Sequence, residues 1–103
     1  MEFEFSDKHL KTLYETGQDK KLRLPQGLAQ KFVERVNRIE AAVTIYDLRI
    51  PPSMAFESLD GYENRFSIRI NDQYRLIFEI DFRDRERTFG KVSILKISKH
   101  YED

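Results

Sequence analysis

The chain has 103 residues, of which 40% are hydrophobic and 13% aromatic. This excludes a disordered chain, although 35% of the residues are charged, and the length allows one core and one domain, residues 1–103. Eighteen Lys and Arg balance eighteen Asp and Glu, which argues against direct DNA binding by the chain alone, because such binding draws on many basic contacts to phosphate. The absence of cysteine excludes disulfides and thiolate metal sites.

No stretch of the sequence approaches the ~20 consecutive apolar residues that a membrane span needs. Residues 1–10 have neither the basic region nor the apolar run of a signal peptide. We therefore expect a soluble cytoplasmic protein that does not enter a membrane.

The first predicted elements are a short strand and a helix. Met1–Phe5 alternates acidic residues with Phe3 and Phe5, which predicts a strand with both rings facing inward. Ser6 or Asp7 can cap a following helix, and Gly17 is suited to end it.

A second, longer helix is predicted from apolar residues that recur every three or four positions. Pro25 suits its first turn. The stripe comprises Leu28, Phe32, Val36, Ile39 and Val43. The opposite side is basic, and we interpret it as solvated surface: Lys31, Arg35 and Arg38.

An extended segment should follow at Pro51-Pro52, because proline excludes an α-helix there. Three apolar residues after it are expected to dock on the core: Met54, Phe56 and Leu59. Asp60-Gly61 predicts a turn.

A tight hairpin is predicted from two alternating apolar runs on either side of Asn71-Asp72-Gln73. The runs are Phe66, Ile68 and Ile70, then Tyr74, Leu76 and Phe78. With these six on one buried face, Arg69 lies opposite Arg75 on the other face, and Arg65 lies opposite Glu79. We expect this second face to be partly open, so Arg75→Ala should change the free energy of unfolding by less than about 1 kcal/mol.

Residues 91–103 are predicted to form the last strand, which ends in Lys99, His100 and Tyr101. Two helices followed by a run of strands indicate an α+β fold, with the two N-terminal helices packed on one face of an antiparallel sheet.

The sequence favours no metal or cofactor chemistry. His9 and His100 are far apart, and no cluster of His, Asp and Glu has the spacing of metal ligands. The four glycines form neither a P-loop nor a dinucleotide-binding pattern. We expect no metal and no cofactor.

Two interpretations of Arg69 and Arg75 follow from the hairpin. Each guanidinium could pair with a nearby carboxylate, such as Asp81, Glu57 or Asp72. Alternatively, the two could clamp a phosphate, whose oxygens the guanidinium fork fits. In the second case Lys99, His100 and Tyr101 at the end of the last strand could supply charge and proton transfer without a metal.

Three stretches together resemble the RelE/ParE-like toxins of type II toxin–antitoxin systems, and the HigB branch in particular. They are "LYETG" (residues 13–17), "RIEAAVTIYDLRIPP" (38–52) and "FSIRINDQYRLIFEI" (66–80). The resemblance implies a RelE-like fold, ribosome-dependent endonucleolytic cleavage of mRNA that inhibits translation, and neutralisation by a cognate helix-turn-helix antitoxin.

The resemblance also implies roles for individual residues. Arg69 and Arg75 would bind phosphate and stabilise the transition state, and His100 or Tyr101 would transfer protons. Two further residues would contact RNA: Lys99 and Arg65.

Three positions depart from the HigB pattern. Glu57 replaces a histidine, Asp60 replaces a lysine, and Lys99-His100-Tyr101 replaces Asp-Tyr-His. The departures leave two alternatives open: a non-catalytic inhibitor of DNA gyrase like the ParE branch, or a toxin-derived protein that retains only antitoxin binding.

Overall fold

The computed structural model describes residues 1–99, which form two helices packed on a five-stranded sheet. In chain order the elements are β1 (Phe3–Phe5), α1 (Lys8–Thr16), α2 (Leu28–Ala41), β2 (Glu57–Ser58), β3 (Arg65–Arg69), β4 (Tyr74–Phe82) and β5 (Gly90–Lys99). Two short 3-10 helices, Ile45–Arg49 and Pro52–Met54, lie between α2 and β2. The predicted α+β fold is confirmed.

The sheet has the strand order β1-β5-β4-β3-β2 and is mixed rather than wholly antiparallel. β1 runs parallel to β5, with Phe3 in register with Val92, while the other three pairs are antiparallel. A parallel pair needs a long crossover connection. The chain between β1 and β5 contains both helices and the other strands, so this condition is met.

The first helix has the predicted ends. The Asp7 side chain accepts a hydrogen bond from the His9 amide at 2.7 Å, and Gly17 ends the helix with φ 81°. The second helix is shorter than predicted at both ends. Gly27, with φ 83°, places Pro25 in the preceding turn, and Ala42 leaves the helical conformation, so Val43 is 75% exposed instead of joining the core.

The core lies between the two helices and one face of the sheet. The helices contribute Leu10, Leu13, Leu28, Phe32, Val36 and Ile39, and the strands contribute Phe66, Ile68, Leu76, Phe78, Ile80, Val92 and Ile94. Of the residues expected to dock after the two prolines, Met54 is fully buried and Phe56 stacks on Phe66 with ring centroids 5.3 Å apart. Pro51 is extended as predicted, but Pro52 begins a short 3-10 helix.

The hairpin has the predicted register. Phe66 pairs with Phe78, and Arg69 pairs with Arg75. The β4–β5 pair contains a β-bulge: Ile77 is in register with Lys96, whereas Phe78 is in register with Ile94. Leu95 is the extra residue in β5.

None of the helices within residues 1–99 has the length and apolar character needed to cross a membrane.

Candidate active site

Arg75 is a buried arginine on the sheet face that the helices do not cover. It is 6% exposed. Its Nε donates to Ser67 Oγ at 2.8 Å, and its Nη2 donates to the carbonyl oxygens of Ala55 and Ser67. The expectation of an exposed Arg75 was therefore wrong, because the chain leading into β2 covers this part of the sheet.

The covering chain has an unusual backbone conformation at the point of contact. Ala55 has φ 47° and ψ 53°, a left-handed conformation that costs a residue with a Cβ about 1–2 kcal/mol. Its carbonyl oxygen is one of the acceptors of Arg75. The buried guanidinium thus stabilises the conformation that brings Glu57 toward it.

Arg75 also lines a pocket that it shares with Arg69. The hydrogen bonds that Arg75 makes within residues 1–99 use Nε and Nη2. That pocket, of about 340 Å³, is the arginine pocket, and it is lined by Ala55, Glu57, Arg69, Asn71, Asp72 and Arg75.

Each arginine of the pocket has a carboxylate nearby. These carboxylates are Asp72 and Glu57, two of the three that the sequence suggested as partners. Arg69 forms an exposed ion pair with Asp72. The Glu57 Oε2 atom lies 3.7 Å from Arg75 Nη2, and the Glu57 side chain is also exposed. Asp81 instead pairs with Arg83 at 2.8 Å. Exposed ion pairs contribute little to stability, so an anionic ligand can displace Asp72 from Arg69 at small cost.

A second pocket, of about 270 Å³, adjoins the arginine pocket and shares Arg69, Asn71 and Asp72 with it. Lys31 and Arg35 of α2 also line it. The Arg35 Nε donates to the Arg69 carbonyl at 2.7 Å. Burial lowers the pKa of Arg35, as do the charges of Arg38 and Arg69, while Glu34 acts to raise it.

The basic face of α2, which we interpreted as solvated surface, thus contributes two cations beside the hairpin. The periodicity of α2 places Lys31 and Arg35 on one side of the helix, but only the packing against β3 reveals their neighbours.

Of the other predicted site residues, those within residues 1–99 do not line the arginine pocket. Arg65 pairs with Glu79 at 2.9 Å, as the register predicted. Lys99 is in register with Tyr74, so alternation places its side chain on the face opposite Arg75. Ser98 is the β5 residue in register with Arg75. His100 and Tyr101 lie outside the described residues.

Within residues 1–99, no three His, Asp or Glu side chains come together in a way that could hold a metal ion. The chemistry available in the arginine pocket is the binding of anions by guanidinium groups, with the carboxylates of Glu57 and Asp72 in the same pocket.

Comparison with known proteins identifies the family. Residues 3–101 match the model of the RelE-like toxins of type II toxin–antitoxin system HigB. The chain is 43% identical over 81 residues to toxin HigB-1 of Vibrio cholerae serotype O1, covering 77% of this chain and 83% of that protein. It is 37% identical over 78 residues to an uncharacterized protein of Haemophilus influenzae, covering 75% and 76%. The chain therefore belongs to the HigB-like family of RelE-like toxins, the toxin components of type II toxin–antitoxin systems.

Proposed function

We propose that this toxin is a metal-independent endoribonuclease that cleaves mRNA on the ribosome and so inhibits translation. HigB-like toxins of the RelE family are generally endoribonucleases. The observation that carries the proposal here is the pair of arginines, Arg69 and Arg75, that line one pocket.

The proposed reaction is an attack of the ribose 2′-hydroxyl on the adjacent phosphorus. Negative charge builds on the two non-bridging phosphoryl oxygens as the new bond forms, and the bond to the 5′-oxygen breaks. Arg75 and Arg69 stabilise that charge with charge-assisted hydrogen bonds. Because Arg75 is held by Ser67 and Ala55, its donor is positioned before the substrate arrives.

The reaction also needs a base for the 2′-hydroxyl proton and an acid for the 5′-oxygen. We propose His100 or Tyr101 for proton transfer. A further contact to the RNA is assigned to Arg65, which lies on the same sheet face as Arg75. Lys31 and Arg35 extend the cationic surface beyond Arg69 and are placed to receive a flanking phosphate.

The type II family implies an antitoxin partner. We propose that this partner is a helix-turn-helix protein and that the toxin contacts DNA only through it. Because ribosomes are the proposed site of action, the toxin works in the cytoplasm. Co-purification with the product of the neighbouring gene, and a rise in melting temperature on binding, test the antitoxin assignment.

One observation favours a second candidate, a toxin-derived protein that binds an antitoxin without cleaving RNA. Glu57 and Asp72 place two carboxylates against the two arginines, which weakens the attraction for phosphate. The equal numbers of basic and acidic residues would also suit an inhibitor of DNA gyrase like the ParE branch. The sequence of the hairpin, however, resembles the HigB branch.

Cell-free translation followed by primer extension on the mRNA tests the nuclease. We expect cuts within codons only when ribosomes are present, and we expect Arg69→Ala to weaken them. Arg83→Ala, an exposed arginine paired with Asp81, is the matched control and should cut normally. Intact mRNA with the wild-type toxin would support the non-catalytic candidate.

A further inference from the structure

A third pocket lies on the same sheet face, and the proposed reaction uses none of its lining residues except Arg65. This tyrosine pocket has a volume of about 380 Å³ and is lined by Leu59, Asp60, Tyr62, Arg65, Ile77 and Lys96. Its apolar part consists of Ile77, which is 1% exposed, and Leu59. It thus combines an apolar surface, an aromatic ring, two cations and one carboxylate.

The Tyr62 ring is exposed yet held in place. The guanidinium carbon of Arg65 lies 4.3 Å from the ring centroid, which is a cation–π contact. Arg65 is itself oriented by a 2.9 Å hydrogen bond to Glu79. Tyr62 nevertheless remains 52% exposed. A positioned, accessible aromatic ring beside cations is the arrangement on which proteins stack bases of single-stranded nucleic acid.

Lys96 reaches this pocket because of the bulge at Leu95. With regular alternation, Lys96 would lie on the same face as Ile94, in the core. The extra residue instead brings Lys96 into register with Ile77, on the pocket side. The ammonium group therefore lies with Arg65 on the surface that would meet a backbone phosphate.

The tyrosine pocket and the arginine pocket are neighbours along β4. Arg75 and Ile77 are two residues apart and point to the same face, a separation of roughly 7 Å. That is about the length of one nucleotide step in an extended single strand. A strand with its scissile phosphate at Arg75 would thus bring the adjoining nucleotide to Tyr62.

We propose that the tyrosine pocket binds the base of the nucleotide next to the scissile phosphate, stacked on Tyr62, with Lys96 and Arg65 on its phosphate. This inference rests on the proposed endoribonuclease function. Asp60 adds selectivity, because a carboxylate accepts hydrogen bonds from exocyclic amino groups of bases. Uracil has no such group, so uridine is the disfavoured nucleotide at this position.

The test compares Tyr62→Leu with Tyr46→Leu. Tyr46 is the matched control, since it is 57% exposed, lies 5.6 Å from the Arg49 guanidinium and is not part of either pocket. Ribosome-dependent cleavage is measured on mRNAs that differ in one nucleotide next to the cut. We expect Tyr62→Leu to slow cleavage roughly 5- to 150-fold, and Tyr62→Phe and Tyr46→Leu to cut normally. Asp60→Asn should reduce the discrimination against uridine.

Binding is measured in parallel, by fluorescence anisotropy with labelled hexamers of adenosine and of uridine. We expect tighter binding of the adenosine hexamer, lost in Tyr62→Leu and kept in Tyr62→Phe. If the wild-type toxin cleaves mRNA and Tyr62→Leu cleaves it at the same rate and the same sites, the base-pocket proposal is overturned. The nuclease proposal would then still stand.

Other outcomes separate the two proposals. Tyr62-dependent RNA binding without any cleavage would support the base pocket and overturn the nuclease. Neither binding nor cleavage by a folded wild-type chain would overturn both. A loss of antitoxin affinity in Tyr62→Leu, with RNA binding unchanged, would assign this surface to the protein partner and overturn the base pocket.

Discussion

Arg69 and Arg75 face each other across β3 and β4, and each has its own carboxylate: Asp72 for Arg69 and Glu57 for Arg75. Like charges directly opposite on adjacent strands are unfavourable. The carboxylates and the acceptors Ser67 and Ala55 offset this repulsion. The two guanidinium groups can therefore lie side by side without a bound anion.

Substitution of Arg75 should affect stability and cleavage by different amounts. Arg75→Ala removes the donor from Ser67 Oγ and the Ala55 carbonyl, so we expect the free energy of unfolding to fall by roughly 1–3 kcal/mol. This replaces the smaller change expected for an exposed arginine. Arg75→Lys keeps the charge and should lose less stability.

Both Arg75 variants should cleave mRNA about a hundredfold more slowly, because roughly 3 kcal/mol of transition-state stabilisation is lost. Urea denaturation and primer extension on the same preparations provide the two measurements, with Arg83→Lys as control. Near wild-type cleavage by a folded Arg75→Lys would contradict a role for the guanidinium at the phosphate.

Glu57→Gln tests whether the nearby carboxylate opposes RNA binding or takes part in catalysis. Removing its charge should strengthen binding of a short RNA several-fold, since Arg75 loses a competing anion at 3.7 Å. Affinity is measured at low and high salt, and the gain should shrink at high salt. Glu86→Gln, in the exposed turn before β5, is the control. Unchanged binding with abolished cleavage would instead identify Glu57 as a general base.

Asp47 should make the stability of the toxin depend on pH in acid. Hydrogen bonds from the amides of Val43 and Thr44 lower the pKa of Asp47. A carboxyl group whose pKa is lower in the folded than in the unfolded state stabilises the fold at pH values above its unfolded-state pKa. This contribution is lost as the pH falls through the folded-state pKa. Melting temperature measured between pH 6 and about pH 2 should therefore decrease less steeply in Asp47→Asn. Asp60→Asn, which changes an exposed carboxylate, is the control and should retain the wild-type slope.

Gly90 is required because the backbone of β4 lies too close to this residue of β5 to leave room for a side chain. A Cβ at this position would overlap the carbonyl oxygen of Asp81 and lie 2.8 Å from the Cα of Phe82. Because these are main-chain atoms, neither can rotate away, and Gly90→Ala should destabilise the toxin by about 3 kcal/mol or more. Gly17→Ala has open space and only the strain of φ 81°, so about 1–2 kcal/mol is expected. Equal denaturation midpoints for the two variants would contradict this.

The parts of the fold that follow from local patterns were predictable. The hairpin register comes from two alternating runs and a short turn, and the ends of α1 come from Asp7 and Gly17. The start of α2 was misplaced because Pro25 is acceptable both in a first helical turn and in the turn before it. The positive φ of Gly27 decides between them.

The candidate site was predictable in its register but not in its burial. Alternation places Arg69 and Arg75 on one face, but it contains no information about which distant segment covers that face. The left-handed Ala55 and the approach of Glu57 depend on how the chain returns from α2 to β2. The parallel pairing of β1 with β5 is likewise a contact between opposite ends of the chain, for which no local pattern exists.

The bulge at Leu95 divides β5 into two segments whose alternation is out of phase. Before it, even-numbered residues such as Ile94 point into the core, and after it, odd-numbered ones such as Ile97 do. Pairing that retained Leu95 without a bulge would shift the second segment by one position, turning Lys96 inward and Ile97 outward. A slip in the pairing of β5 with β4 by one residue, with no change in the sequence, would therefore exchange the cationic surface at the end of the last strand for an apolar one.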